Sequence, residues 1–345
     1  MKTLKQKKAF NETSFLLKIT ITLFVVMYII GMIVFREKGF AHFQTFLNLF
    51  ISNASLIVIA AGLTIVMLTG GIDISVGSCV AMYCMMLANM MERQNMPATP
   101  AVIIVLLTGV LFGFVQGFLV SYLKIQPFIV TLAGMFFARG MTAIISVDMI
   151  SIMNKQFLGW AQNKLFLPFG GYVNRKGIMI KPFIYPTVII ALVTLVIIFI
   201  MLKYTKFGRK IYAIGGSEQS SLLMGLNVRK TRLLAYVLDG FLVGIGGVLF
   251  CLNTCSGFVE QARGYEMEAI AAAVIGGTLL TGGVGNVFGS LFGVLIKGTI
   301  ETFITFQGTL SSWWTKITIA ALLAFFIILQ SLLGSMKFTK KKSSC

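Results

Sequence analysis

The stretch Leu68–Ser78, LTGGIDISVGS, sets the carboxylate of Asp73 and the hydroxyl of Ser75 just after a glycine pair and between two apolar runs. These residue types at this spacing can do two kinds of work. Gly70 and Gly71 interrupt a helix, and the oxygens of Asp73 or Ser75 can then accept from the free N–H groups that open the next one. A carboxylate held at a break inside a membrane can also touch an ion or a polar solute in transit. Gly70, Gly71, Asp73 and Ser75 are therefore candidates for a discontinuous helix beside a pathway. A tight turn at the membrane surface, with Asp73 acting only as a cap, is the other reading the residues allow.

The motif recurs. Leu280–Ser290, LTGGVGNVFGS, matches it without gaps at Leu, Thr, three Gly and Ser, and adds Gly282, Gly283 and Asn286 to the candidates. Asp73 is matched by Gly285, so the break is repeated and the charge is not. That weighs Asp73 toward bracing a broken helix ahead of contacting a solute. Lys297 and Glu301 stand four apart in another apolar run, where they can pair along one helix face. Arg139 in GMFFARGMTA and Asp239 in YVLDGFL each face a polar cavity or reach an interface, and spacing does not choose. Phe128, Phe136, Phe137 and Trp313 are candidates for lining a neutral polar cavity; for Trp313 and its neighbour Trp314 an interfacial belt is the alternative.

Catalytic chemistry finds no footing. The single histidine, His42, excludes a multi-histidine metal site, and there is neither a GxxxxGK[ST] phosphate loop nor a GxSxG elbow. The five cysteines lack paired CxxC spacing and read as small buried residues. No catalytic residue, bound metal or cofactor is expected. Energy for uphill transport would come from an ion gradient or from another polypeptide.

The elements that must position these residues are membrane helices. Of 345 residues, 57% are hydrophobic and 12% charged, and the mean hydropathy is +0.91; soluble domains carry about 25% charged residues. Apolar runs occupy roughly 19–35, 51–69, 74–91, 101–123, 128–147, 184–202, 233–252, 267–281, 286–305 and 315–334, most of them near the ~20 residues a membrane helix needs. They do not alternate as barrel strands would. The expected fold is an all-α polytopic membrane protein with about ten transmembrane segments, discontinuous helices and two parallel internal repeats, an arrangement in which transporter sites lie at the repeat interface.

A formal charge of +18 raises nucleic acid as a partner, but the basic residues sit in tails and loops with no RNA- or DNA-binding pattern, as orientation signals do. Cytoplasmic placement of an N-tail (1–18), a loop (203–232) and a basic C-tail (336–345) needs six crossings and then four, giving a transmembrane domain over 19–335 with both termini cytoplasmic. The first apolar run lacks a cleavage site and reads as a retained helix. The same parity puts 148–183 outside as a small ordered cap, either a docking surface or a connector.

The loop YTKFGRKIYAIGGSEQSSLLMGLNVRKTRLLAYVLDG holds one more signal. Ser217 as N-cap, Glu218 in the first turn and Gly225 as terminator predict a short helix that exposes Leu222, Leu223 and Met224. An exposed apolar helix flanked by charge suits a partner's groove.

This loop resembles the coupling-helix region of ABC-importer permeases, with Glu218 and Gly225 in the expected places and Gln219-Ser220 where alanines are commoner. LTIVMLTGGIDISVGS, PFIVTLAGMFFARG and AIAAAVIGGTLLTGGVGNVFGSLFGVL are similar to the ribose and autoinducer-2 branch of the bacterial monosaccharide permeases, and GTLSSWWTKI brings the resemblance toward galactofuranose-importer permease subunits. The resemblance covers nearly all of 45–334. It implies a permease subunit in the cell inner membrane, a partner ATPase that carries ATP and Mg, a second permease subunit and an extracytoplasmic sugar-binding protein. Contact with the ATPase would fall on 217–228, through Glu218, Gln219, Ser220, Leu223, Gly225 and Val228. An ion-coupled secondary transporter of a small polar solute, with Asp73 or Asp239 as the ion-linked carboxylate, is the alternative; a passive channel lacks a charge ring.

Overall fold

The computed structural model describes residues 2–173, 179–309, 311 and 313–342. Arg175, Lys176, Cys345 and the side chains of the tail lysines lie outside the description.

The chain folds as helices α1 (Lys2–Val34), α2 (Phe43–Leu68), α3 (Val76–Glu92), α4 (Ala98–Ser121), α5 (Pro127–Ile145), α6 (Lys155–Gln162), α7 (Pro186–Tyr204), α8 (Lys206–Gly216), α9 (Glu218–Leu223), α10 (Val228–Thr254), α11 (Tyr265–Ile275), α12 (Val287–Gln307) and α13 (Trp313–Lys342). Each of the ten apolar runs lies on one of them. The fold is an all-α polytopic membrane protein. Among the described residues seven helices are long and apolar enough to cross a bilayer. Three fall short of the expected ten. α3 has 17 residues and the apolar part of α13 runs from Trp313 to Ile328. α11 has only 11, because the chain leaves the helix at Gly276 for the second glycine stretch.

α2 is the centre of the bundle. It is apolar on every face and buried without interruption from Asn53 to Thr69, as such a helix must be. It packs on α10, α12, α7 and α11. α4 and α5 leave broad apolar faces exposed, including Leu107, Leu111, Phe136 and Ile144, which suits lipid. α10 meets α4 through glycines: a methyl group at Gly109 would lie 2.5 Å from the carbonyl oxygen of Gly240. Close approach of this kind takes the place of a hydrophobic driving force between helices in lipid.

One end of the bundle carries residues 148–173 and 179–183. There β1 (Ile150–Ser151) pairs with β2 (Ser256–Gly257), and Glu92 Oε1 accepts from the amides of Met153 and Asn154 at 2.8 and 2.9 Å. Asn154 caps α6 by accepting from Gln156 and Phe157. Gln44, at the start of α2, bonds the amide and carbonyl of Phe183. α8 and α9 lie at the other end, beyond α7.

Candidate functional site

α2 stops because Gly70 takes φ +81°, a region glycine enters freely. The chain then runs without helix to Ser75, and α3 begins at Val76. The second break is longer, from Gly276 to Asn286, with Gly277, Gly282 and Gly283 at positive φ. The two breaks meet. The amide of Gly283 donates to the carbonyl of Leu68 at 3.0 Å. Gly215, next to last in α8, is packed between them: a methyl group there would overlap the Leu68 carbonyl and the Gly283 amide. Tyr212 Oη, one turn earlier in α8, donates to the carbonyl of Gly285 at 2.9 Å, the position that answers to Asp73. Thr64 and Ser290 close the contact with a hydroxyl bond of 2.7 Å.

The expected capping by Ser75 is not formed. Its hydroxyl is engaged elsewhere, donating to Asp73 Oδ1 at 2.6 Å and accepting from Gln116 Nε2 at 2.9 Å. Asp73 also accepts from the amide of Ser75 at 2.7 Å, so it braces the unwound residues without capping α3. In the second copy Asn286 does cap, accepting from Phe288. Asp73 and Asp239 prove to be neighbours: α10 carries the Asp239 carboxylate near that of Asp73 and over Gly62, and neither Asp239 oxygen has a hydrogen-bond partner among the described residues. Both are buried, and neither pairs with a lysine or arginine among the described residues. Arg139 is not part of this group. Its guanidinium donates to the carbonyls of Val259 and Gln261 and holds the segment between α10 and α11.

At the α9 end, Ser217 caps its helix by accepting from the amide of Ser220, and Gly225 at φ +73° ends it. Leu222, Leu223 and Met224 are 55, 90 and 62% exposed. Glu218 pairs with Arg232 of α10 at 2.7 Å, and Asn227, preceding Val228, caps α10. Gln219 and Ser220 are exposed on the same helix.

Lys297 and Glu301 pair at 2.6 Å as their spacing predicts, and Glu268 of α11 adds a second carboxylate at 3.1 Å. Lys297 Nζ also donates to Asn53 Oδ1 of α2 at 3.3 Å. Beside this group is a cavity of about 830 Å3 bounded by α2, α11, α12 and the start of α13. Trp313 borders it; Phe128, Phe136 and Phe137 lie on α5, exposed, and do not. Glu268, Asn53, Gly215 and Tyr212 escaped sequence reasoning. The available signals were the acidic first turn of an otherwise apolar α11 and the AIGG that ends α8.

No group of three or more potential ligands able to hold a metal ion occurs among the described residues. No solved structure matches the chain. Residues 45–327 match the family described as branched-chain amino acid transport system / permease component. The chain is 42% identical to the inner membrane ABC transporter permease protein YjfF of Escherichia coli K12, over 91% of each protein. It is 35% identical to the fructose import permease protein FruG of Bifidobacterium longum, over 93% of this chain and 92% of that one. Identity to the ribose import permease protein RbsC of Haemophilus influenzae is 34%, over 92% and 93%. Matches of this extent, on a bundle of membrane helices, assign the chain to a family: it belongs to the branched-chain amino acid transport system / permease component family of transport permeases.

Proposed function

We propose that this chain is the transmembrane subunit of an ABC importer that carries a monosaccharide, galactofuranose or a related sugar, across the cell inner membrane. The fructose and ribose permeases among its relatives support the sugar class. The transmembrane domain spans 19–335, with the 1–18 and 336–345 tails and the 203–232 loop cytoplasmic and 148–183 outside. Lysine and arginine in α8 and at the start of α10 support this orientation.

The observation that carries the reading is the contact of Gly215 with both helix breaks. α9 exposes Leu223 for a groove on the ATPase, and α8, which runs directly into it, ends between Leu68 and Gly283. A displacement of α9 by ATP-driven closure of the partner is thereby delivered to two unwound points in the membrane helices. Glu218, Gln219, Ser220, Leu223, Gly225 and Val228 form the docking segment. Gly70, Gly71, Asp73, Ser75, Gly282, Gly283 and Asn286 form the element it moves. ATP and Mg act on the ATPase; a second permease, identical or paralogous, and an extracytoplasmic sugar-binding protein complete the assembly.

Co-purification from membranes tests the docking. The chain retains its ATPase, and Leu223→Asp releases it while leaving the permease folded; retention by this variant would refute the role of α9. A second reading, an ion-coupled transporter, is favoured by the contact of Asp73 with Asp239. It requires uptake by this chain alone, driven by an ion gradient.

A further inference from the structure

The cavity between α2, α12 and α13 lies in the half of the bundle nearer the 148–183 segment, since its α2 wall begins at Thr45, next to the Gln44 that bonds Phe183. Its wall mixes the apolar Leu49, Ile304 and Phe306 with polar groups that a lipid-facing surface would not tolerate, Asn48 and Asn53 of α2, Glu268 of α11 and Glu301 of α12 among them. The volume, about 830 Å3, falls in the range of small-molecule sites.

The charges define what fits. Lys297 stands behind the wall with its three donors directed to Glu268 Oε2, Glu301 Oε1 and Asn53 Oδ1. It has none left for a ligand. Only one oxygen of each glutamate is engaged among the described residues, which leaves Oε1 of Glu268 and Oε2 of Glu301 as acceptors at the cavity. Lys316 also lines the cavity, so two carboxylates are balanced by two ammoniums; a site without net charge suits a neutral solute, and the free carboxylate oxygens accept hydroxyl protons. Asn48, Ser52 and Thr302 add hydroxyl and amide groups that donate as well as accept. At the rim, Trp313 is 67% exposed and has Lys316 Nζ 4.7 Å from its ring centroid.

We propose that this cavity is a binding site within the permease for a neutral, hydroxyl-rich solute of monosaccharide size. The inference deepens the sugar-permease reading and rests on it for the solute's transport, though not for its binding. α11 gives the site a link to the coupling junction. Glu268 is in its first turn, and eleven residues, about 16 Å at 1.5 Å per residue, carry the helix toward the second break. Movement at Gly283 would therefore shift a carboxylate of the cavity wall.

The test is equilibrium binding of labelled ribose, fructose, galactose and galactofuranose, beside ribose 5-phosphate and galacturonate, to the full chain in lipid nanodiscs. Ser52, whose side chain is exposed, is replaced by leucine to fill the cavity without touching Lys297; Thr302→Leu is the second filler. At least one neutral sugar binds the wild type more tightly than either anion, and each filler weakens it at least ten-fold with helix content by circular dichroism unchanged. Binding unaltered by both fillers, preference for the anions, or no binding of any of the four sugars would overturn the proposal. ATP-driven uptake by the assembled transporter, measured in parallel, separates the two readings. Loss of uptake with cavity binding intact counts against the transport reading alone.

Discussion

Gly283 donates its amide to the carbonyl of Leu68 at 3.0 Å, across 215 positions of sequence, and so ties the second copy of the glycine motif to the first at the residue where α2 ends. Unpaired backbone polar groups cost several kcal/mol in hydrocarbon, so each break gives the other a partner that lipid cannot. α8 shares the contact through Gly215.

Gly215→Val is expected to separate the breaks. The added side chain meets backbone on both sides, which cannot yield as a flexible side chain would. Uptake should fall more than ten-fold while ATP hydrolysis by the assembled complex persists. Gly283→Ala combines a similar clash with about 1–2 kcal/mol of left-handed backbone strain and should behave alike. Full uptake in either variant would mean that the junction carries no motion.

Asp73→Asn and Asp239→Asn should each retain appreciable uptake. Neither oxygen of Asp239 has a hydrogen-bond partner among the described residues, and a carboxamide at either position removes one of two neighbouring buried charges in nearly the same shape. Loss of all transport in Asp73→Asn, with normal expression and ATPase coupling, would make Asp73 part of the transport step itself.

Lys297→Met strands the carboxylates of Glu268 and Glu301. Lys297 is buried, but Glu268 and Glu301 are 22 and 38% exposed, so solvent screens part of the loss; thermal unfolding in detergent should still begin at lower temperature. Adding Glu268→Gln and Glu301→Gln should recover most of the loss. A single variant as stable as the wild type would show that this network is solvated and structurally dispensable.

Much of the helical layout was legible because lipid demands long apolar runs, and all ten runs became helices. The cap at Ser217 and the Lys297–Glu301 pair were legible for a related reason: both are local, set by spacings of three and four residues. Contacts between distant elements were not. Glu268 reaches Lys297, Asp239 reaches Asp73, and Gly215 reaches Leu68 only through packing, and no periodicity records which helix faces which. The hydroxyl of Ser75 misled as a cap because Gln116, 41 residues away, competes for it. α11 was overlong in prospect because the apolar residues after Ile275 continue through the glycine break without marking where helix ends.

The most direct test of the coupling account is uptake of labelled sugar into vesicles that hold the chain with its ATPase and second permease, the binding protein on the outside and ATP on the side of α9. The account predicts uptake that requires ATP, survives proton and sodium ionophores, and is lost in Leu223→Asp and Gly225→Pro, with helix content preserved in both. Uptake by this chain alone, without ATP and abolished by an ionophore, would contradict it.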